Sequence, residues 1–519
     1  MTVPVAPEPS FDGHYVCDVL IVGAGIAGLQ AARFCDTSLD VIVLDKGVSG
    51  RSGSSPWAQG GMAVALGPDD SPELHATDTV AASDGLTDPA AVRVLATETP
   101  DRADELVELG AQFDREPDGA VHLAREGGHT VARSIHRADA TGQEIVRVLR
   151  DAAAQRVTRL EGVAVRLDVT ADGRCTGAWT IVDGRLALVK ARAVILATGG
   201  AGALYASTTN QPGATGDGVS LAHRAGAAVR DMEFIQFHPT ALAGPDGSRF
   251  LLTEALRGAG ATLHDEAGTR FMLDAHPDAE LAPRHVVAAA ILAAPGNGVA
   301  LLDCTHLPLD QLSEEFPTVL AAAEQMGFDL ASQPVPVTPA AHYMVGGVRT
   351  DLAGRTSIAG LWAAGEIAST GVHGANRMAG NSLAEALVFG RRAALSVQAE
   401  LPAGHAVPGR PPGLDGPGRI EDDIVDELRG LLWRLAGPIR SADSLASARE
   451  SLAKLRVHHP AAGPTQPSVE LDHALAVAEL IVTAATLRTE SRGGHRRTDF
   501  PRTDPDWAEV HLEHLATRS

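Results

Sequence analysis

The sequence predicts an α/β chain: a Rossmann-like dinucleotide-binding domain, interrupted by an inserted α+β capping domain and followed by a C-terminal helical bundle. Three observations predict it. The apolar run Val19 to Val22 leads into Gly23-Ala24-Gly25-Ile26-Ala27-Gly28, a GxGxxG turn that opens a helical pattern over 29–34 and a second apolar run at 41–44. Similar buried-strand runs recur far downstream, at 194–197 before Thr198-Gly199-Gly200 and at 360–364 before Gly365-Glu366. Beyond residue 418 the spacing turns helical, over 421–435, 441–455 and 471–487.

Each segment follows from these signals. The first dozen residues are rich in Pro and read as a disordered tail. Strand-and-glycine pieces lie on both sides of 232–342, so that segment is the cap and the dinucleotide domain is discontinuous, over 14–231 and 343–400. The Pro- and Gly-rich stretch 401–418 reads as a linker, and 419–519 as the helical domain.

Composition narrows the function. A chain of 519 residues, 45% hydrophobic, supports a sizeable core. With 65 acidic against 43 basic side chains the formal charge is -22, which repels nucleic acid and anionic lipid, so any anionic ligand needs a local cationic site. Cys17, Cys35, Cys175 and Cys304 are dispersed with no CxxC, which points away from a disulfide scaffold or a metal cluster and towards a reducing cytoplasm. No leader-like segment opens the chain, and no apolar run reaches the roughly 18 residues of a membrane span.

The glycine turn carries the first chemistry. Glycine lets the backbone approach a pyrophosphate, and the helix N-terminus offers unpaired N–H groups to it. Asp45, 20 residues after Gly25 at the end of the next strand, is placed to accept ribose hydroxyls. The fingerprint alone does not separate FAD from NAD. Its company tips the reading to FAD: residues 54–61 (SSPWAQGG), Gly216-Asp217-Gly218, and Gly365-Glu366 with Ser382-Leu383. A second set of residues lies in five separated loops: Phe237-His238-Pro239-Thr240, Thr253-Glu254, Arg284, His342, and the stretch 373–383 (HGANRMAGNSL) with Arg377. Two histidines, two arginines and a Thr-Glu pair suit a small dicarboxylate.

These segments, in this order, resemble the flavoprotein family of L-aspartate oxidases, succinate dehydrogenase flavoprotein subunits and fumarate reductases. The likeness runs from Cys17 to Glu490-Ser491-Arg492-Gly493 and Asp499-Phe500-Pro501. It implies FAD contacts at Gly23, Ala24, Gly25, Ile26, Ala27, Gly28, Asp45, Lys46, Ser54, Ser55, Ala58, Gln59, Gly60, Gly61, Asp217, Glu366, Ser382 and Leu383. Dehydrogenase subunits carry a flavin-linked histidine five residues before the Gln of their AQGG motif. Ser54 holds that position here, which implies FAD bound non-covalently. Glu126, in Arg125-Glu126-Gly127-Gly128-His129, resembles the aspartate oxidase version, where a carboxylate faces the substrate ammonium.

The resemblance implies oxidation of L-aspartate to iminoaspartate, with oxygen or fumarate as electron acceptor, at the start of NAD biosynthesis. Arg377 and His342 would grip one carboxylate, with His238, Thr253 and Arg284 about the other. Arg284, with Glu254 in relay, would deliver a proton if fumarate is reduced. Quinolinate synthase would consume the imine. The chain departs from relatives after His342, where Tyr343-Met344-Val345 replaces a pattern with Thr-Cys or a similar pair in the middle. The rival readings are a soluble fumarate reductase or succinate-oxidising flavoprotein, a flavin-binding module without turnover, and an oxidase of apolar amino acids. Cationic clamps without carboxylates disfavour the last.

Overall fold

The computed structural model describes residues 13–47, 53–416, 418, 420 and 422–516. The expected disordered tail lies outside them. The strand His14–Val22 is apolar on both faces in its second half, and Val19, Leu20 and Ile21 are fully buried, as a central parallel strand must be. It pairs in parallel with Val41–Asp45 on one side and with Arg185–Leu196 on the other. Thr158–Val169 starts in parallel with Val41–Asp45, then turns antiparallel to Cys175–Val182, which returns beside Arg185–Leu196. The strand Leu361–Ala363 completes the six-stranded sheet, with Leu361 opposite Val194. Two adjacent strands of one sheet therefore flank the whole segment between residues 197 and 360.

Close backbone approach fixes the helices on this sheet. Ile26–Phe34 lies so near the first strand that a Cβ at Gly28 would overlap the carbonyl of Gly23. The long helix Asn381–Glu400 crosses it at Gly390, where a Cβ would come 2.7 Å from the carbonyl of Ala27.

The intervening segment forms a second, antiparallel sheet in the order Arg249–Leu251, Ile235–Ala243, Val335–Met344, Ala300–Asp303, Thr262–His264. It has its own core, which includes Leu242, Leu263, Val287, Ile291, Leu302 and Val337. The pairing His238 with Ala340 and then Ala241 with Thr338 leaves one extra residue in the first strand, a bulge at Pro239 and Thr240. Pro239 cannot donate to the ladder, so the bulge forms there and re-aims the neighbouring His238.

Segment 401–416 contains neither helix nor strand. It is tied to the sheet domain: Asp168 accepts the Gly409 amide, Arg192 bonds the Pro402 carbonyl and His405 the carbonyl of Cys17. Helices Asp422–Ala436, Ala442–His458 and Gln466–Leu487 follow, the second opened by a Ser441/Ser444 capping box. Their leucines join the hydrophobic cluster that contains Leu20 and Val194, so bundle and sheet share one core. The bundle ends at Leu487, and Glu513–His514 then pairs as a strand with Val229–Arg230, where sequence periodicity offered only helices. No helix among the described residues is long and apolar enough to cross a membrane.

A buried ion network secures the turn after the bundle. Arg488 is fully buried, bonds Glu233 and Glu490, and stacks 4.8 Å from the rings of Phe234 and Trp507. Arg488→Ala would leave two buried carboxylates short of a cation, at a cost of about 3–5 kcal/mol. Urea denaturation of the variant should show a loss of that size, and a loss below about 1 kcal/mol would mean that water or Arg492 takes over.

Candidate active site

One cavity of about 560 Å³ runs from the glycine turn to the loops carrying His238, Arg284 and Arg377. That volume suits a bound organic ligand, for which roughly 300–1,000 Å³ is usual. At the nucleotide end, Gly23 has φ of 106° and a Cβ there would overlap the Ala197 carbonyl. Gly25 precedes the first helix with no side-chain cap, and Ser55 Oγ accepts the Ile26 amide at 3.2 Å. Asp45 lines the cavity at its strand end. Lys46 and Asp217, read as separate contacts in the sequence, are bonded to each other at 2.6 Å, with Thr215 2.8 Å from the ammonium. Burial opposes the charge on each, and their pairing overcomes it: the Asp217 pKa lies below the ordinary value and that of Lys46 above it.

The middle of the cavity is built from residues 54–61 and from Glu366, Ser382 and Leu383. Gln59 Nε2 reaches into the antiparallel domain to donate to the Leu251 carbonyl at 2.8 Å. A Cβ at Gly61 would clash with Ile135 and Ser134, and one at Gly200 with Glu366. Glu366 accepts the Met344 amide at 2.9 Å; burial still pushes its carboxyl up to about 7. Gln59 Oε1, Thr198 Oγ1, Asn210 Oδ1 and Arg377 Nε are buried on this wall without protein partners. A polar ligand would satisfy them, and the glycine cradle at the helix N-terminus fits a pyrophosphate.

The far end holds the charged groups. His238 is buried on its bulge, its Nδ1 faces the Thr240 amide at 3.3 Å, and its ring centre is 5.1 Å from that of His342. With Nδ1 accepting that amide, the neutral ring carries its proton on Nε2 and is a donor there. His342 Nδ1 shares a 2.8 Å hydrogen bond with Thr209. Burial, then the positive charge of Arg284 and Arg377, holds both imidazoles well below the ordinary histidine range, so both are neutral near pH 7. Thr253 caps the short helix Glu254–Gly258 and so places Glu254. Glu254 Oε2 receives Arg284 Nε at 2.7 Å and Nη2 at 2.6 Å, while Oε1 lies 3.5 Å from Arg257. Burial opposes ionisation of Glu254, yet these guanidiniums bring its pKa down to about 2.

Arg377 stacks 4.8 Å from the Tyr343 ring centre and donates to Ser382 Oγ at 3.2 Å. Among the described residues it forms no ion pair with a carboxylate. Burial and then Arg284 lower its pKa to about 10. Tyr343 is anchored in turn by Glu385 at 2.9 Å, which also pairs with His373. Glu126 is buried: Oε1 accepts from the Gly61 amide at 3.0 Å and from Ser134 Oγ at 2.6 Å. It lines the same cavity, and its neighbour Gly127 abuts Glu254 so closely that a Cβ there would overlap the carboxylate.

Sequence reasoning missed Gln236. Its Oε1 accepts from Arg284 at 3.0 Å and its Nε2 donates to the Arg377 carbonyl at 2.8 Å and to Asn376, so one buried amide joins the two arginine loops. The available signal was a polar residue inside the apolar run ahead of His238.

Fold and cavity together define an FAD-binding oxidoreductase. Residues 18–383 match the family model of the FAD binding domain, and residues 425–518 that of the fumarate reductase flavoprotein C-terminal region. The L-aspartate oxidase of Caulobacter vibrioides is 46% identical over 94% of this chain and 94% of its own length. That of Streptomyces coelicolor is 44% identical over 97% of this chain and 92% of its own. Among solved structures, a variant of E. coli quinol fumarate reductase FrdA aligns with a TM-score of 0.89 at 32% identity, covering 96% of this chain and 94% of that one. The chain belongs to the FAD-dependent flavoprotein family of the L-aspartate oxidases and fumarate reductases, and FAD is its cofactor.

The Glu254 pairing has a pH signature. Its pKa is depressed from the ordinary carboxylate value to about 2, so its stabilisation is present above pH 4.5 and is lost as pH falls towards 2. Glu254→Gln should therefore unfold at a lower temperature than the native chain at pH 7. The gap should narrow on acidification through that window; a gap that widened would refute the pairing.

Proposed function

We propose that this enzyme oxidises L-aspartate to iminoaspartate, with oxygen or fumarate as the electron acceptor, as the first step of quinolinate and NAD biosynthesis. The observation that carries the reading is Glu126, a buried carboxylate in the cavity whose far end gathers Arg284 and Arg377. Succinate and fumarate offer no partner for it, whereas the ammonium of aspartate does. The names of the curated relatives support the same substrate.

Arg377 and His342 hold one carboxylate of the substrate, and His238, Thr253 and Arg284 lie about the other. Arg284 is half neutralised by Glu254 and kept in plane by Gln236, so its free edge is directed without being rotationally loose. Bound FAD supplies the two-electron acceptor. Ser54 at the covalent-link position supports non-covalent binding, because a hydroxyl lacks the imidazole of flavin-linked members. Neutral His238 donates through Nε2, which favours a bound anion without adding a charge that would have to be buried. The same Arg284–Glu254 pair, with Arg257 behind it, could serve proton delivery to fumarate; the likeness to fumarate reductase supports this second activity.

We further place the domain boundaries at 14–231, 232–342, 343–400, 401–418 and 419–519, since the sheet strands on either side of the cap are adjacent. Quinolinate synthase is the proposed consumer, because an imine exposed to water hydrolyses. The four buried, unbridged cysteines favour the cytoplasm.

Mixing the enzyme anaerobically with L-aspartate should bleach the flavin band, and succinate should do so far less. A charge-assisted contact is worth about 1.5–3 kcal/mol, so Glu126→Gln should lower kcat/KM for aspartate roughly ten- to a hundredfold while sparing fumarate reduction. Aspartate turnover at native efficiency in that variant would overturn Glu126 as selector. Arg284→Leu should abolish fumarate reduction, and its persistence would rule out the proton-delivery role.

A further inference from the structure

The nucleotide end of the cavity is closed by the C-terminal bundle. Gln466 and Glu470 lie one turn apart at the start of the last helix and line the cavity together with Lys46, Val163 and Ala164. Gln466 Nε2 donates to the Lys46 carbonyl at 3.2 Å and to Glu470 Oε1 at 3.1 Å. Glu470 Oε1 is 3.7 Å from the Lys46 ammonium. The helix is firmly seated: His473 bonds the Ala164 carbonyl at 3.0 Å and Ser220 Oγ at 2.9 Å, and Val477 packs against the Gly216 turn. This wall is thus a fixed part of the cavity, contributed by another domain.

Its chemistry selects one half of the cofactor. Asp217 and Thr215 already satisfy Lys46 at bonding distance, and Asp45 and Glu470 also face it. The carboxylates of Asp217 and Glu470 beside one ammonium make this end rich in acceptors, which disfavours phosphate and suits a neutral sugar and base that donate hydrogen bonds. Asp45 stands where dinucleotide folds meet the ribose, and Val163 and Ala164 lie on the adjoining strand. We infer that Gln466 and Glu470 complete the adenosine subsite for FAD, so that the cofactor is gripped by both the sheet domain and the C-terminal bundle. This deepens the cofactor assignment and rests on it.

The test is equilibrium binding to the FAD-stripped full-length chain, with FAD, ADP and FMN as probes. Native protein should bind FAD; failure there would count against the cofactor itself. The double variant Gln466→Ala with Glu470→Ala should raise Kd for FAD and ADP roughly ten- to a hundredfold, and leave FMN, which lacks adenosine, unchanged. Glu470→Gln keeps the shape and should weaken ADP several-fold. Unchanged or tighter ADP binding in both variants, or an equal loss for FMN, would overturn the subsite and reduce the two residues to packing of the helix.

Discussion

Arg257, Arg284 and Arg377 are all buried around the single carboxylate of Glu254, and the site depends on holding that imbalance. Uncompensated buried charge is costly, so the protein must either neutralise it or keep it for a ligand. Glu254 satisfies Arg284 in part and steadies Arg257. Arg377 is left to Tyr343, Ser382 and a backbone carbonyl, which orient a guanidinium without cancelling it. Set against the three guanidiniums, Glu254 and the cavity-lining Glu126 leave a net positive charge for an anionic ligand to meet. Neutral histidines follow from the same cause, since a further cation among these arginines would cost more than it returned.

That constraint explains why the chain is woven as it is. Glu254, Arg257 and Arg284 come from the antiparallel domain, while Arg377 and Glu126 come from the domain that holds FAD. The two sets meet only because the insertion leaves the sheet after Arg185–Leu196 and returns just before the neighbouring strand Leu361–Ala363. The crevice at strand carboxyl ends is where open α/β sheets bind ligands, and here the inserted sheet supplies its other wall. Gln236 and Gln59 span the junction with hydrogen bonds in opposite directions, one to the Arg377 loop and one from the AQGG loop to Leu251. A net charge of -22 on the chain makes such local concentration of cations necessary for an anionic substrate.

Sequence alone disclosed those parts whose chemistry is local. Gly23 and Gly28 are legible because backbone approach forbids any other residue, and His238 was legible because Pro239 sits beside it in a motif. The pairing of Lys46 with Asp217 was not legible: the partners are 171 positions apart, and each alone looks like a cofactor contact. Gln236 was hidden for a similar reason, as its role exists only once two distant arginine loops converge on it. The terminal strand Glu513–His514 was missed because two residues carry no periodicity; its place comes from the partner strand at Val229–Arg230. Long-range pairing, which spacing does not encode, accounts for each omission.

Glu126 gains its meaning from packing in the same way. An Arg-Glu-Gly-Gly-His stretch taken alone is an ordinary solvated loop, since isolated charges are mostly exposed. Here the loop is drawn inward because Gly61 and Ser134 supply two donors to one carboxylate oxygen, and Gly127 allows the chain to press against Glu254. Two carboxylates are thereby held on one wall of a cationic cavity. One is matched by two arginines, and the other only by neutral donors. On the function proposed above, the second is the group that distinguishes an amino acid from the dicarboxylic acid of the same shape, because an ammonium meets a negative charge there while a methylene leaves that charge desolvated.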